Sequence, residues 1–168
     1  MRIDNRTRIF YNSGEPIGAS PTEPVNGRNY SRTNIKLLRI GSSPISAKIM
    51  NELTQVHGFA LANQSYEDIV DGYKQLQFGE IWKSDCNAVI FFGTSNDEDE
   101  VVTNLANTMK QICPQVMTIY SNLNHTPGSF KRMQRRLHGD SIDIYATAEK
   151  SIDELVQEID NFMRSRNQ

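Results

Sequence analysis

From Asn34 onward, short runs of β-branched and other apolar residues alternate with longer segments in which apolar residues return every third or fourth position. The first pattern fits a strand covered on both faces, the second an amphipathic helix. Their repeated alternation predicts a parallel sheet wrapped by helices. The predicted strands are β1 over 35–40, β2 over 59–62, β3 over 88–92, β4 over 116–120 and β5 over 142–145. Ala88-Val89-Ile90-Phe91-Phe92 has no polar alternation, which places β3 at the centre of the sheet.

The helices follow from their stripes and stop signals. Helix α1 is predicted over 44–57, with Ser43 as N-cap, Pro44 at the first helical position and Ile45, Ile49, Leu53 and Val56 inward. Helix α2 begins at Ser65 with Tyr66, Ile69, Val70, Tyr73 and Leu76 inward, and Gly79 breaks it before Ile81 and Trp82. Helix α3 spans 97–113, with Val101, Val102, Leu105, Met109 and Ile112 inward and Pro114 as its stop. Helix α4 spans 130–138, closed by Gly139. Helix α5 opens on the capping box Ser151-x-x-Glu154, with Ile152, Leu155, Val156, Ile159 and Phe162 as its stripe.

Residues 1–33 break this rhythm. Three of the six prolines fall there, with Gly14, Gly18 and Gly27, so helix is excluded from most of the stretch. Arg8-Ile9-Phe10-Tyr11 has the makings of one short strand, and Ile17, Val25 and Tyr30 are spaced as anchors of an extended arm. The organisation expected is an extended or flexible arm over 1–33 and one α/β domain over 34–168. Five arginines against three acids make the arm mildly basic on an acidic body.

With 168 residues the chain can bury a full core without staples. Eighteen basic against 20 acidic residues, net -2, exclude a strong general attraction to nucleic acid. Cys86 and Cys113 lie in no Cys-x-x-Cys spacing and are expected to be reduced core-edge residues. Without an apolar signal-type segment at Met1-Arg2-Ile3-Asp4-Asn5 or a membrane-length apolar run, the expectation is a cytoplasmic protein with no membrane partner.

Five βα units on one open sheet resemble the flavodoxin-like or receiver-like superfold, a three-layer open parallel five-stranded sheet of order 2-1-3-4-5. That resemblance implies a site beyond the carboxyl ends of β1 and β3, where the winding reverses. The ligand-binding candidates there are Gly41, Ser42 and Ser43 after β1 and Gly93, Thr94, Ser95 and Asn96 after β3. Glycines and hydroxyls at helix starts suit a phosphate, and hence a nucleotide or FMN. Pro44 removes one amide donor and the run Asp97-Glu98-Asp99-Glu100 repels an anion, so simple helix capping accounts for the same residues.

Three enzyme comparisons bear on this rim. Receiver domains carry an acceptor aspartate at the end of β3 and paired acids after β1, but Gly93 and Gly41-Ser42 stand in those places. The Gly41-Ser42-Ser43 loop is similar to the opening of flavin reductases of this fold, without the rest of their hydroxyl-rich phosphate loop. Gly93-Thr94-Ser95-Asn96-Asp97 resembles in part the Gly-Thr-x-x-Glu step of nucleoside deoxyribosyltransferase-like enzymes. That similarity makes Asp97 or Glu98 the catalytic candidates, as nucleophile or general base.

His57, His125 and His138 are far apart and none pairs at helical spacing with another ligand, so no metal site is expected. His125, in the β4 exit loop, joins the ligand-binding candidates. Helix α4 carries Lys131, Arg132, Arg135 and Arg136, a positive surface suited to an acidic protein partner, and without interleaved aromatics it does not fit nucleic acid. With Phe10 and Tyr11 of the arm, these are the partner-binding candidates. The function read from the sequence is a non-catalytic interaction or regulatory module that self-associates or binds a protein, with no resident cofactor. The alternative is a nucleotide-type ligand binder, a nucleoside-processing enzyme or an FMN-binding protein using the loops after β1 and β3.

Overall fold

A computed structural model describes residue 25 and residues 27–77, 86–137 and 140–166. Its strands are β1 (Lys36–Gly41), β2 (Ala60–Leu61), β3 (Ala88–Gly93), β4 (Met117–Asn122) and β5 (Ile144–Ala146). They form one all-parallel sheet in the order β2-β1-β3-β4-β5. β3 lies at the centre with all six residues buried, as a run without polar alternation requires. Its register brings Gly41 opposite Phe92 and Gly93 opposite Asn122, so the exits of β1, β3 and β4 lie side by side.

The helices are α1 (Ser46–Asn51), α2 (Ile69–Gln77), α3 (Asp99–Ile112), α4 (Pro127–Leu137) and α5 (Ile152–Arg164). Ile49, Met50 and Leu53, with Leu155, Val156, Ile159 and Met163, pack on Leu37, Ile90, Phe92 and Ile119. The opposite face takes Ile69 of α2, Val102, Leu105, Ala106 and Met109 of α3, and Phe130 and Met133 of α4 against Leu38, Ile40, Val89, Phe91 and Tyr120. Each fully buried Leu or Ile contributes about 1.5–3 kcal/mol of transfer free energy, so these two faces carry the stability.

Several element details depart from the sequence expectation, each for a local reason. Ser43, Pro44 and Ile45 form a turn, and α1 begins at Ser46, whose hydroxyl donates to Ser43 O at 3.0 Å. Beyond Asn51 the helix widens into a π-helical turn, Glu52–Val56. The added residue rotates Val56 off the stripe and leaves it 69% exposed. His57 then ends the segment before Gly58, whose φ is +86°.

Before α2, Tyr66 makes a parallel bridge to Ile40 and so extends the sheet edge; Asp68 then caps the helix, accepting from the Asp71 amide at 2.6 Å. Among its residues 69–75, α2 buries Ile69 and Gly72, a Cβ on Gly72 falling 2.6 Å from Ile40 Cγ2. That close approach turns Val70 and Tyr73 outward, against expectation. Ile112 at the end of α3 is also exposed. Helix α4 starts three residues earlier than predicted because Thr126 caps it: Thr126 Oγ1 accepts the Ser129 amide and Ser129 Oγ accepts the Thr126 amide. Pro127 takes the first helical position. The capping box at Ser151 and Glu154 is present as expected.

Val25 is buried in the α1 and α5 cluster, and Tyr30 packs against it. Tyr30 Oη and the Arg32 guanidinium both donate to the Asp160 carboxylate of α5, Arg32 at 2.8 Å. The described end of the arm therefore lies on its own body. Phe10, Tyr11, Ile17, Gly79, Ile81, Trp82, His138 and Gly139 lie outside the described residues.

Candidate functional site

The rim at the carboxyl ends of β1 and β3 is built from groups that satisfy one another. Gly41 has φ +97°, and a Cβ there would sit 2.4 Å from Phe92 O, so only glycine lets β1 and β3 end side by side. The Gly41 amide donates to Tyr66 O at 2.8 Å, and the Arg39 guanidinium reaches Gly41 O at 2.7 Å and the Glu67 carboxylate at 2.9 Å. The Ser43 amide donates to Ser46 Oγ, and Ser42 is exposed. The β1 exit is thus strapped to the loop that precedes α2.

At the β3 exit, Glu98 turns back on the loop. Its Oε1 accepts the Thr94 amide at 2.7 Å and the Ser95 amide at 3.3 Å, while Ser95 Oγ accepts from Asp97 N at 3.1 Å. The amides an incoming phosphate would use already hold an internal carboxylate. Of the two catalytic candidates, Glu98 is committed to this capping box; Asp97 is exposed. Asn96 is also exposed on the turn before α3.

The β4 exit is tied to the same loop by two amides. Asn124 Nδ2 donates to Thr94 O at 2.7 Å and Asn122 Nδ2 to Ser95 O at 3.0 Å. Asn122 Nδ2 also lies 2.9 Å from Tyr120 Oη, which donates to Asp99 Oδ1 at 2.6 Å. His125 Nε2 is 2.9 Å from Asp99 Oδ2, and its Nδ1 is 2.7 Å from Ser129 Oγ. Ser129, His125, Asp99, Tyr120 and Asn122 therefore form one hydrogen-bonded chain linking α4, α3 and β4.

Its carboxylate and imidazole are inside the protein: Asp99 is 1% and His125 5% exposed. His125 lies in the β4 exit loop, where the sequence reading puts it, but its side chain is buried. Its ring turns inward and stacks on Phe130, centroids 4.4 Å apart, and Phe130 in turn packs against Tyr145 at 4.7 Å. Burial, with the Asp99 hydrogen bond second, pushes the Tyr120 hydroxyl far above its ordinary range, so it stays a donor. Burial pushes Tyr145 up to about 12, the charges of Asp140 and Asp99 adding to it. Asp99, in the first turn of α3, gains from the positive helix end.

Sequence reasoning missed Asp99, Tyr120, Asn122 and Ser129. Only Thr126-Pro127 at the true start of α4 carried a legible signal, and it leads to Ser129 as the third residue of that helix. Lys131, Arg132, Arg135 and Arg136 all lie on exposed parts of α4, and none makes an ion pair among the described residues. His57 faces Asp153 at 3.5 Å. No cluster of metal-ligating side chains exists among the described residues, and no helix among them is long and apolar enough to cross a membrane. Cys86 and Cys113 are half-buried, and burial pushes the Cys113 thiol up.

No family model matches the chain, and no curated protein matches it in sequence. Solved structures do share its fold. An orphan response regulator of H. pylori is 17% identical with a TM-score of 0.55, over 80% of this chain and 100% of that one. A putative pilus assembly-related protein from Burkholderia pseudomallei is 8% identical with a TM-score of 0.58, over 83% and 96% of the two chains. TadZ, a CheY-like protein from Pseudomonas aeruginosa, is 8% identical with a TM-score of 0.52, over 76% and 98%. With its order 2-1-3-4-5 and its three layers, the chain has the flavodoxin-like fold in the form seen in CheY-like receiver domains.

Proposed function

We propose that the chain is a regulatory or interaction module whose output is a protein contact, first of all with a second copy of itself. The observation that carries this reading is the exposed basic face of α4, where Lys131, Arg132, Arg135 and Arg136 have no acidic partner among the described residues. An acidic complement on another copy is supplied by exposed acids of α5, Asp153, Glu154 and Glu158, of which Glu158 also pairs with Lys150 and Asp153 also faces His57, and by Asp97 and Glu100 around the start of α3. Asp160 and Asp99 are not part of it, being buried on Arg32 and His125. Two faces of opposite charge on one chain favour a two-fold or head-to-tail contact.

The state of the rim supports the same reading. Glycines end β1 and β3 where receiver domains keep their acids, and Glu98 fills the amides a phosphate would take. The folds of the response regulator and of TadZ are compatible with a regulatory role. Phe10 and Tyr11, upstream of the docked Val25, are the second set of contacts in this proposal.

Light scattering of the full chain across salt concentrations tests it. The expected result is a mass above the monomer at low salt that falls as salt screens the faces. The double variant Arg132→Glu/Arg135→Glu should be monomeric and equally stable, since both side chains are exposed. A full chain that stays monomeric at low salt up to its solubility limit, and whose mass is unmoved by charge reversal, would sink self-association. A thermal shift with FMN or a nucleotide would instead favour a ligand at the rim.

A further inference from the structure

The buried hydrogen-bond chain has a property that a protein contact does not use: its outer member is a serine hydroxyl resting on an imidazole. The order of donors follows from the inner end. Tyr120 donates to Asp99, and Asp99 sits where a helix start favours a carboxylate, so it accepts from His125 as well. His125 then carries its proton on Nε2, and the lone pair of Nδ1 faces Ser129 Oγ at 2.7 Å. Ser129 Oγ has a second acceptor within reach, Thr126 O at 3.2 Å, but the imidazole is nearer.

The surroundings of Ser129 supply what such a hydroxyl needs. Unlike His125 and Asp99, Ser129 is partly exposed. The preceding amide, Gly128 N–H, makes no hydrogen bond among the described residues, as expected for the second residue of a helix. A Cβ on Gly128 would meet nothing nearer than an Arg132 guanidinium nitrogen at 3.7 Å, so a ligand can approach that backbone from outside with a cation beside it. Two residues upstream, Pro127 lines an open cleft of about 460 Å³ together with Thr147, Lys150 and Glu154; Ser129 is not among its lining residues.

We propose that Ser129 is a nucleophile with His125 as its general base, and that the chain hydrolyses small carboxylic esters at the start of α4. Ser129 Oγ bonds to the ester carbonyl carbon as its proton passes to His125 Nδ1. The negative charge on the carbonyl oxygen falls to the Gly128 amide and the α4 helix end. The bond to the leaving alcohol then breaks, and the Nδ1 proton goes to that alcohol. Water repeats the sequence on the acyl-serine, releasing the carboxylic acid and returning the proton to Ser129. Asp99 touches no reacting atom; it is a positioning residue that holds the ring and its tautomer.

The test is covalent labelling of the full chain with a fluorophosphonate probe, read by intact mass and peptide mapping, alongside turnover of p-nitrophenyl acetate. The wild type should gain one adduct, on Ser129. His125→Gln should slow its formation by about 100-fold or more, and Ser129→Ala should abolish it. Asp99→Asn should slow labelling and move its pH profile, which a purely structural role would not do. Because Ser129→Ala also removes a cap, a variant that fails to fold is set aside and the wild-type peptide map decides. Folded wild type with no adduct on Ser129 after prolonged excess of probe, or labelling at equal rate in folded His125→Gln, would overturn the proposal.

Discussion

The two faces of the sheet are built on different principles. Against α1 and α5 the sheet presents Leu37, Ile90, Phe92 and Ile119, and the buried polar residues of these helices, Ser46 and Asp160, are not joined to one another, Ser46 bonding Ser43 and Asp160 bonding Tyr30 and Arg32. Against α3 and α4 the apolar cluster is comparable, but its carboxyl end holds Asp99, Tyr120, Asn122 and His125 in one chain of hydrogen bonds. β4 shows the contrast within six residues, Met117 and Ile119 facing one way, Tyr120 and Asn122 the other. Apolar packing is non-directional, so the first face tolerates change of shape at constant volume. The second face is all or nothing: each polar group is satisfied only while its neighbour stays.

The largest effect that separates the faces is expected at Asp99. Asp99→Ala leaves Tyr120 Oη and His125 Nε2 buried without their acceptor, and loss of one member of such a pair costs about 3–5 kcal/mol. Ile90→Val, at the centre of the other face, should cost only about 0.5–1.5 kcal/mol. Denaturant unfolding of both variants measures the gap. Equal costs would mean that the polar chain is not cooperative.

The same contrast explains what was legible in the sequence. The apolar face follows from periodicity: the strand runs, Ile49 on α1, Leu53 on the π-helical turn after it, and Leu155, Val156 and Ile159 on α5 all lie where spacing puts them. The polar chain has no period, because its members at 99, 120, 122, 125 and 129 come from three elements and the loop between β4 and α4, and meet only when β4 is placed beside β3. Asp99 is also hidden within the acidic run 97–100, where helix-start electrostatics is sufficient reason for any acid. Stripe errors came from backbone detail that composition does not carry. The π-helical turn displaced Val56, and the glycine contact between Gly72 and Ile40 displaced Val70 and Tyr73. Gly41 and Gly93 suggested ligand access, yet a side chain on either would meet Phe92 O or the Asn122 and Tyr120 side chains, so substitution there perturbs the fold itself.

An intermediate effect is expected where the apolar face meets the arm. Burial raises the Asp160 pKa, but the hydrogen bonds from Arg32 and Tyr30 outweigh it and leave the carboxyl below its ordinary value. A depressed pKa contributes stability above the unfolded value, about 3.9, that is lost as pH falls through the lower folded value. Asp160→Asn should cost about 1.5–3 kcal/mol near neutral pH, the range for hydrogen bonds to a charged group. The wild type should converge on the variant as the solution is acidified below about pH 4. Parallel urea titrations over that window check both; a constant difference between the two proteins would show that the Asp160 charge does not hold the arm.

The smallest effect distinguishes two helix starts that look alike. Ser151 and Ser95 each anchor a capping box, with Glu154 and Glu98 returning the hydrogen bond. Each Ser→Ala change should cost about 1 kcal/mol. Ser151 heads α5 on the apolar face, and among the described residues no hydrogen bond joins its box to the buried polar chain. The Ser95 turn is joined to that chain, because Asn122 Nδ2 donates to Ser95 O as well as reaching Tyr120. Loss of the Ser95 hydroxyl loosens the turn that holds this acceptor in place. In double-mutant cycles with Asn122→Ala, Ser95→Ala should therefore show an interaction energy of about 0.5 kcal/mol or more, while Ser151→Ala should be additive within about 0.3–0.5 kcal/mol. Additivity in both cycles would confine the cooperative region to the side chains between Asn122 and Ser129 and leave the β3 exit loop outside it.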